Sequence, residues 1–108
     1  MTLTPMGRVN QPTPGTPIPL STNPIQLVSK IFFQVIPGLT GKGYIGSPGM
    51  NKTTLAGVTR VLWPNASGGI CDQFLLETDD GHDDFQLSQY AVDMDVAGEG
   101  LLVTYWTE

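Results

Sequence analysis

The chain is poor in the residues that most often carry chemistry or staple a small fold. Its single cysteine, Cys71, cannot form an internal disulfide, so the fold cannot depend on an oxidising compartment. A buried small hydrophobe is the plain reading of Cys71, and pairing between chains is the other. His82 is the sole histidine, so any zinc site or histidine-dependent triad must use it. No run approaches the roughly 18 to 20 apolar residues that span a bilayer. Residues 1–20 contain five prolines and no apolar stretch of the secretory kind. These absences predict a soluble protein made in the cytoplasm, with no membrane partner.

Charge is also scarce, at 14% of residues, and the net charge of −5 offers no basic footprint for nucleic acid. Its arrangement is unusual. No acidic residue precedes Asp72 and no basic residue follows Arg60, so one half of the chain is purely positive and the other purely negative. Two readings stay open: the halves neutralise each other by pairing as strands, or they steer identical subunits or a charged partner surface.

What is abundant is glycine and proline. In residues 1–22, Pro5, Pro12, Pro14, Pro17 and Pro19 alternate mostly with Thr and Gly. Proline fixes φ and lacks an N–H, so this segment is predicted to run as an extended arm outside any central sheet, spanning roughly 60 to 70 Å at about 3.1 Å per residue. Leu3, Met6, Val9, Ile18 and Leu20 are apolar residues that a solvated tail does not need, and a grip on a neighbouring subunit would use them. Residues 23–108 then form the folded domain. A domain of that size buries only about 60 to 65% of its unfolded surface and gains from oligomerisation.

Within the domain the hydrophobic pattern has period two. Ile25, Leu27, Ile31, Phe33 and Val35 share one strand face, interrupted at Ser29, where a bulge or a split is expected. Val28, Phe32 and Ile36 make the other face apolar as well, so something should cover it. Five glycines between Gly38 and Gly49 then mark tight turns between short strands, with a strand at 43–46, a turn at Ser47-Pro48-Gly49 and a helical turn or loop at 50–55. Further strands are predicted at 57–63, 73–78, 85–87, 90–96 and 101–106. Tyr90, Val92, Met94 and Val96 should face inward, with Asp93 and Asp95 outward, and Gly98-Glu99-Gly100 should close a hairpin. The last strand is apolar on both faces, as a central or interface strand would be. The pattern predicts an all-β domain, an antiparallel β-sandwich or jelly roll of about six to eight short strands with an extended N-terminal arm.

Candidate chemistry is thin. Residues 77–84 hold five carboxylates, and Asp79, Asp80, Asp83 and Asp84 are the set that could meet calcium. Their spacing is not that of an EF-hand loop, and a solvated acidic loop is the preferred reading, so no cofactor is expected. Cys71, Ser67 and Ser88 lack the local signatures of nucleophiles, and no enzyme is predicted. Trp63 and Trp106 suit a sugar-stacking platform, but at strand ends they read first as packing residues. Lys42, Lys52 and Arg60 give the middle of the chain a positive face, which makes them interface candidates beside Leu3, Met6, Val9, Ile18 and Leu20. Reversing Arg60 to Glu should then weaken assembly more than folding.

The stretch 37–64, with its phrase YIGSPGMNKTTLAGVTRVLWP, and the ending 93–106, DMDVAGEGLLVTYW, resemble the small all-β virion proteins of tailed bacteriophages. The resemblance implies a decoration or cement protein on the capsid surface, a homo-oligomer (trimer before dimer) bound to the major capsid protein and made in the host cytoplasm. It supplies no capsid-contact residue. The alternative is a carbohydrate- or calcium-dependent binding module of a phage fibre or spike.

Overall fold

A computed structural model describes residues 2–23, 26–64, 72–78 and 85–107. The described residues are almost entirely β, with no α-helix and one 3-10 turn at Leu87–Gln89. The strands are β1 (Thr2–Asn10), β2 (Ile18–Pro19), β3 (Leu27–Val28), β4 (Lys30–Val35), β5 (Gly43–Asn51), β6 (Ala56–Leu62), β7 (Gln73–Glu77), β8 (Phe85–Gln86), β9 (Ala91–Met94) and β10 (Gly100–Thr107).

Their pairing is nested. β1 pairs with β10, β2 with β9, β3 with β8, β4 with β7 and β5 with β6, all antiparallel. The chain therefore runs out and back as one long hairpin. Two further pairings, β10 with β4 and β9 with β5, fold that hairpin into sheets of order β1-β10-β4-β7 and β2-β9-β5-β6, with β3-β8 as a small third.

The nesting explains the split charge. A residue early in the chain sits across from one late in the chain, so the basic half meets the acidic half. Lys30 and Glu77 are cross-strand neighbours with Nζ to Oε2 at 3.8 Å, Lys52 lies 3.3 Å from Asp95, and Arg60 lies 3.8 Å from Asp72. Such exposed or half-exposed pairs each contribute about 0 to 1 kcal/mol.

One core draws on both four-stranded sheets. Ile31, Phe33 and Val35 of β4 and Leu101 and Val103 of β10 are fully buried together with Ile45, Leu62, Val92 and Met94 of the other sheet. Each such side chain contributes about 1.5 to 3 kcal/mol by leaving water. The strict alternation along β4 places every second residue in this core, as the period predicts.

Several expectations need correction. Residues 1–22 are not a free arm: β1 and β2 are edge strands of the two main sheets, where proline's missing N–H costs no ladder bond. Met6 is an extra residue between the paired Pro5 and Gly7, and the positive φ of Gly7 (75°) accommodates that bulge. Ser29 does split its strand, but the parity flips there, so Val28 is buried and Leu27 is exposed. Ser29 is buried in the gap, with its N–H and hydroxyl both donating to the carbonyl of Trp106.

Ser47-Pro48-Gly49 lies within β5, and the turn comes later, where the Asn51 side chain accepts from the N–H groups of Thr53 and Thr54. Gly46 serves close approach instead, because a Cβ there would strike the carbonyl oxygen of Gly57. Gly98-Glu99-Gly100 joins β9 to β10 in different sheets, so it is a crossing between sheets and closes no hairpin. Val96 is exposed in that turn, and Asp93 is fully buried.

Candidate functional site

The outer faces of the two main sheets have been treated differently by the chain. On the β2-β9-β5-β6 sheet, Tyr44, Met50 and Ala91 form a second small apolar cluster, and residues 11–16 lie across Asp93. Asp93 Oδ1 accepts from Gln11 Nε2 at 2.8 Å, from the N–H of Gly15 at 3.1 Å and from the N–H of Met94 at 2.8 Å. Beside it the Tyr44 hydroxyl donates to Asp95 Oδ1 at 3.0 Å, and Lys52 donates to Asp95 and to the carbonyl of Met94. Burial, followed by the hydrogen bond and charge of Asp95 and the charge of Asp93, pushes the Tyr44 hydroxyl up to about 12.

The other sheet leaves its outer face open. Antiparallel register puts directly opposite residues on one face, so three rows run across β1-β10-β4-β7. The first is Leu3, Trp106, Lys30 and Glu77; the second Pro5, Thr104, Phe32 and Leu75; the third Arg8, Leu102, Gln34 and Gln73. Leu3 is 52% exposed, Leu75 43% and Leu102 39%, while Phe32 and Trp106 are half-buried between them. An apolar surface is thus rimmed by Arg8, Lys30, Glu77 and Gln73. Depletion of charge at the centre with aromatic residues inside a polar rim is the composition of a contact surface.

A third cluster ties the ends of the chain together. The Glu99 carboxylate accepts from the N–H and hydroxyl of Thr40 and from the N–H of Gly41, and Arg8 donates to the carbonyl of Gly98 at 3.0 Å. Burial alone would raise the Glu99 carboxyl, but the Thr40 and Gly41 bonds and the Arg8 charge outweigh it, and the carboxyl titrates below its ordinary value.

The structure distributes the expected interface residues unevenly. Leu3 lies on the open face. Met6, Val9 and Ile18 pack against the chain's own core and Leu20 is buried in it, which corrects their assignment as free contact residues. Lys42 sits 4.8 Å from the Trp63 ring centroid, Lys52 is bound to Asp95, and Arg60 lies 5.3 Å from the Phe74 ring centroid as well as beside Asp72. The positive face expected from these three is therefore internally engaged. Trp63, expected as packing, is 62% exposed.

Asp79, Asp80, Asp83 and Asp84, with His82, Cys71 and Ser67, lie outside the described residues. Among the described residues no three His, Cys, Asp or Glu side chains gather as a metal site. Phe32, Leu75, Leu102 and Trp106 carry the open face and were not singled out from the sequence as a group. Their signal was present in the pairs Phe32-Phe33 and Leu101-Leu102, where both strand faces are apolar. No family model, curated protein or solved structure matches the chain.

Proposed function

We propose that this chain is a non-catalytic structural protein of a tailed-phage virion, which decorates and stabilises the capsid by docking its open β1-β10-β4-β7 face on the major capsid protein lattice. The observation that carries the proposal is that face: an apolar centre of Leu3, Phe32, Leu75, Leu102 and Trp106 at the surface of a chain with few charges. On this reading the two main sheets form a jelly-roll sandwich. The nested strand order supports it, since a long hairpin rolled into two facing sheets is how an eight-stranded jelly roll is built, and the architecture recurs in viral capsid domains.

Leu75→Glu and Leu102→Glu place a charge on the proposed contact while leaving the core untouched. Co-sedimentation with capsid shells lacking the protein should fall by tenfold or more for each variant, at unchanged melting temperature. Binding at the wild-type level by both would overturn the docking face. Deleting residues 1–22 would not be a clean test, because it removes two sheet strands.

One observation favours the second reading, a carbohydrate-binding module of a fibre or spike. The Trp63 indole is exposed, with a lysine held beside it, and such a ring can stack on a sugar. Loss of binding to a glycan array on Trp63→Ala would support that reading.

A further inference from the structure

The segment joining β1 to β2 returns the chain through one tight turn. The N–H of Thr16 donates to the carbonyl of Thr13 at 3.1 Å, with Pro14 and Gly15 in the middle, and Gly15 has a φ of +93°. Proline followed by a positive-φ glycine is the signature of a type II turn. On either side Pro12 and Pro17 favour a straight, extended chain. The fold-back thus depends on the Pro14-Gly15 turn and on Gln11, whose Nε2 donates to the Thr16 carbonyl and whose Oε1 accepts from the N–H of Thr13, against the stiffness of Pro12 and Pro17.

The turn is held to the sheet below it by Asp93, whose Oδ1 takes donors from Gln11 and Gly15. Its other oxygen, Oδ2, is buried with no hydrogen-bond donor among the described residues. A buried carboxylate oxygen left unpaired is destabilising, so the site under the turn is held at a cost. Meanwhile β1 itself is an edge strand whose ladder among the described residues runs along β10, with Met6 and Val9 packed on the core and Gln11 bonded through its backbone to Gly98 and Glu99. All of those contacts can be made equally well by β1 of another molecule.

We infer that β1 is an exchangeable strand: with the Pro14-Gly15 turn straightened, residues 2–11 of one copy occupy the β10 edge of a second copy, and the exchange is reciprocal. The closed turn is lost and the strand contacts are kept. This interface is distinct from the open sheet face, which stays free in the exchanged dimer. The inference therefore goes beyond the docking reading and does not depend on it.

The test uses a cross-link across the pair Thr2 and Thr107, which are directly opposite on β1 and β10. Thr2→Cys and Thr107→Cys are introduced with Cys71→Ser, with and without Gly15→Val. A Cβ at position 15 meets no atom within 4 Å, so the substitution chiefly penalises the left-handed backbone of the closed turn. After oxidation, non-reducing gels and solution mass are read together, and circular dichroism of the reduced proteins verifies folding.

Exchange predicts disulfides between chains, a doubled mass that survives reduction, and a dimer fraction raised about tenfold by Gly15→Val. Disulfides within one chain in both proteins would overturn it, whatever their mass. A dimer carrying only such internal bonds would assign self-association to another surface and leave the docking reading standing. Should Gly15→Val fail to fold, deletion of Pro14 and Gly15, which leaves β1 too short a tether to return, is read by the same two outcomes.

Discussion

The two outer sheet faces are built from similar strands and end in opposite states. Over the β2-β9-β5-β6 sheet the chain spends its own residues: Gln11 and Gly15 bond a buried Asp93, and Tyr44 and Met50 are buried beside it. Over the β1-β10-β4-β7 sheet it leaves Leu3, Leu75 and Leu102 in water. Under the covered face Gln11 and Asp93 are bonded to each other beside a small apolar cluster, whereas on the open face exposed leucines lie where a partner would gain by burying them.

The comparison is broken most severely from inside. Leu101 and Leu102 are adjacent in β10 and point to opposite sides, the first into the shared core and the second onto the open face. Leu101→Ala should cost about 2 to 5 kcal/mol by chemical denaturation, and Leu102→Ala less than about 1. Comparable losses at both would mean that the open face is covered. On the covered side, Gln11→Ala removes one of the donors holding Asp93 and should cost about 1 to 3 kcal/mol, measured the same way.

Two titrations sharpen the contrast by reporting on bonds the covered regions make. The Glu99 carboxyl titrates below its unfolded value, so its contribution is present above the unfolded pKa of about 4.3 and is lost as pH falls through the lower folded value. Glu99→Gln should flatten the acid limb of a stability profile. Tyr44 has the opposite sign: its hydroxyl is raised to about 12, so the contribution is complete below about 10 and disappears as pH climbs towards 12. Tyr44→Phe should remove that alkaline fall. The smallest effect belongs to the exposed pair on the open rim, where Glu77→Gln should change stability by less than about 1 kcal/mol.

Strand content was readable because local pattern governs it. Alternation at Ile31, Phe33 and Val35 and the break at Ser29 needed no knowledge of the partner strand. The split charge likewise pointed to pairing between halves, one of its two readings. Pairing order is non-local, and that is where expectation and structure part. Proline content suggested that residues 1–22 would stay outside the sheets, yet an edge position suits Pro5 and Pro19 because one side of the strand needs no donor. Asp93 was assigned to solvent by alternation, and it does lie on the outer side of its strand. A loop from far away in the chain covers it, which no periodicity encodes. The open face was legible as apolarity on both sides of β4 and β10, but which side would stay bare depended on where residues 11–16 came to rest.

The most direct measurement is a side-chain footprint by hydroxyl radicals, taken with and without capsid shells. The account predicts that Phe32, Leu75, Leu102 and Trp106 become protected on binding while Trp63 and Met50 are unchanged. Protection at Trp63 with Phe32 and Trp106 as reactive as in the free protein would contradict it.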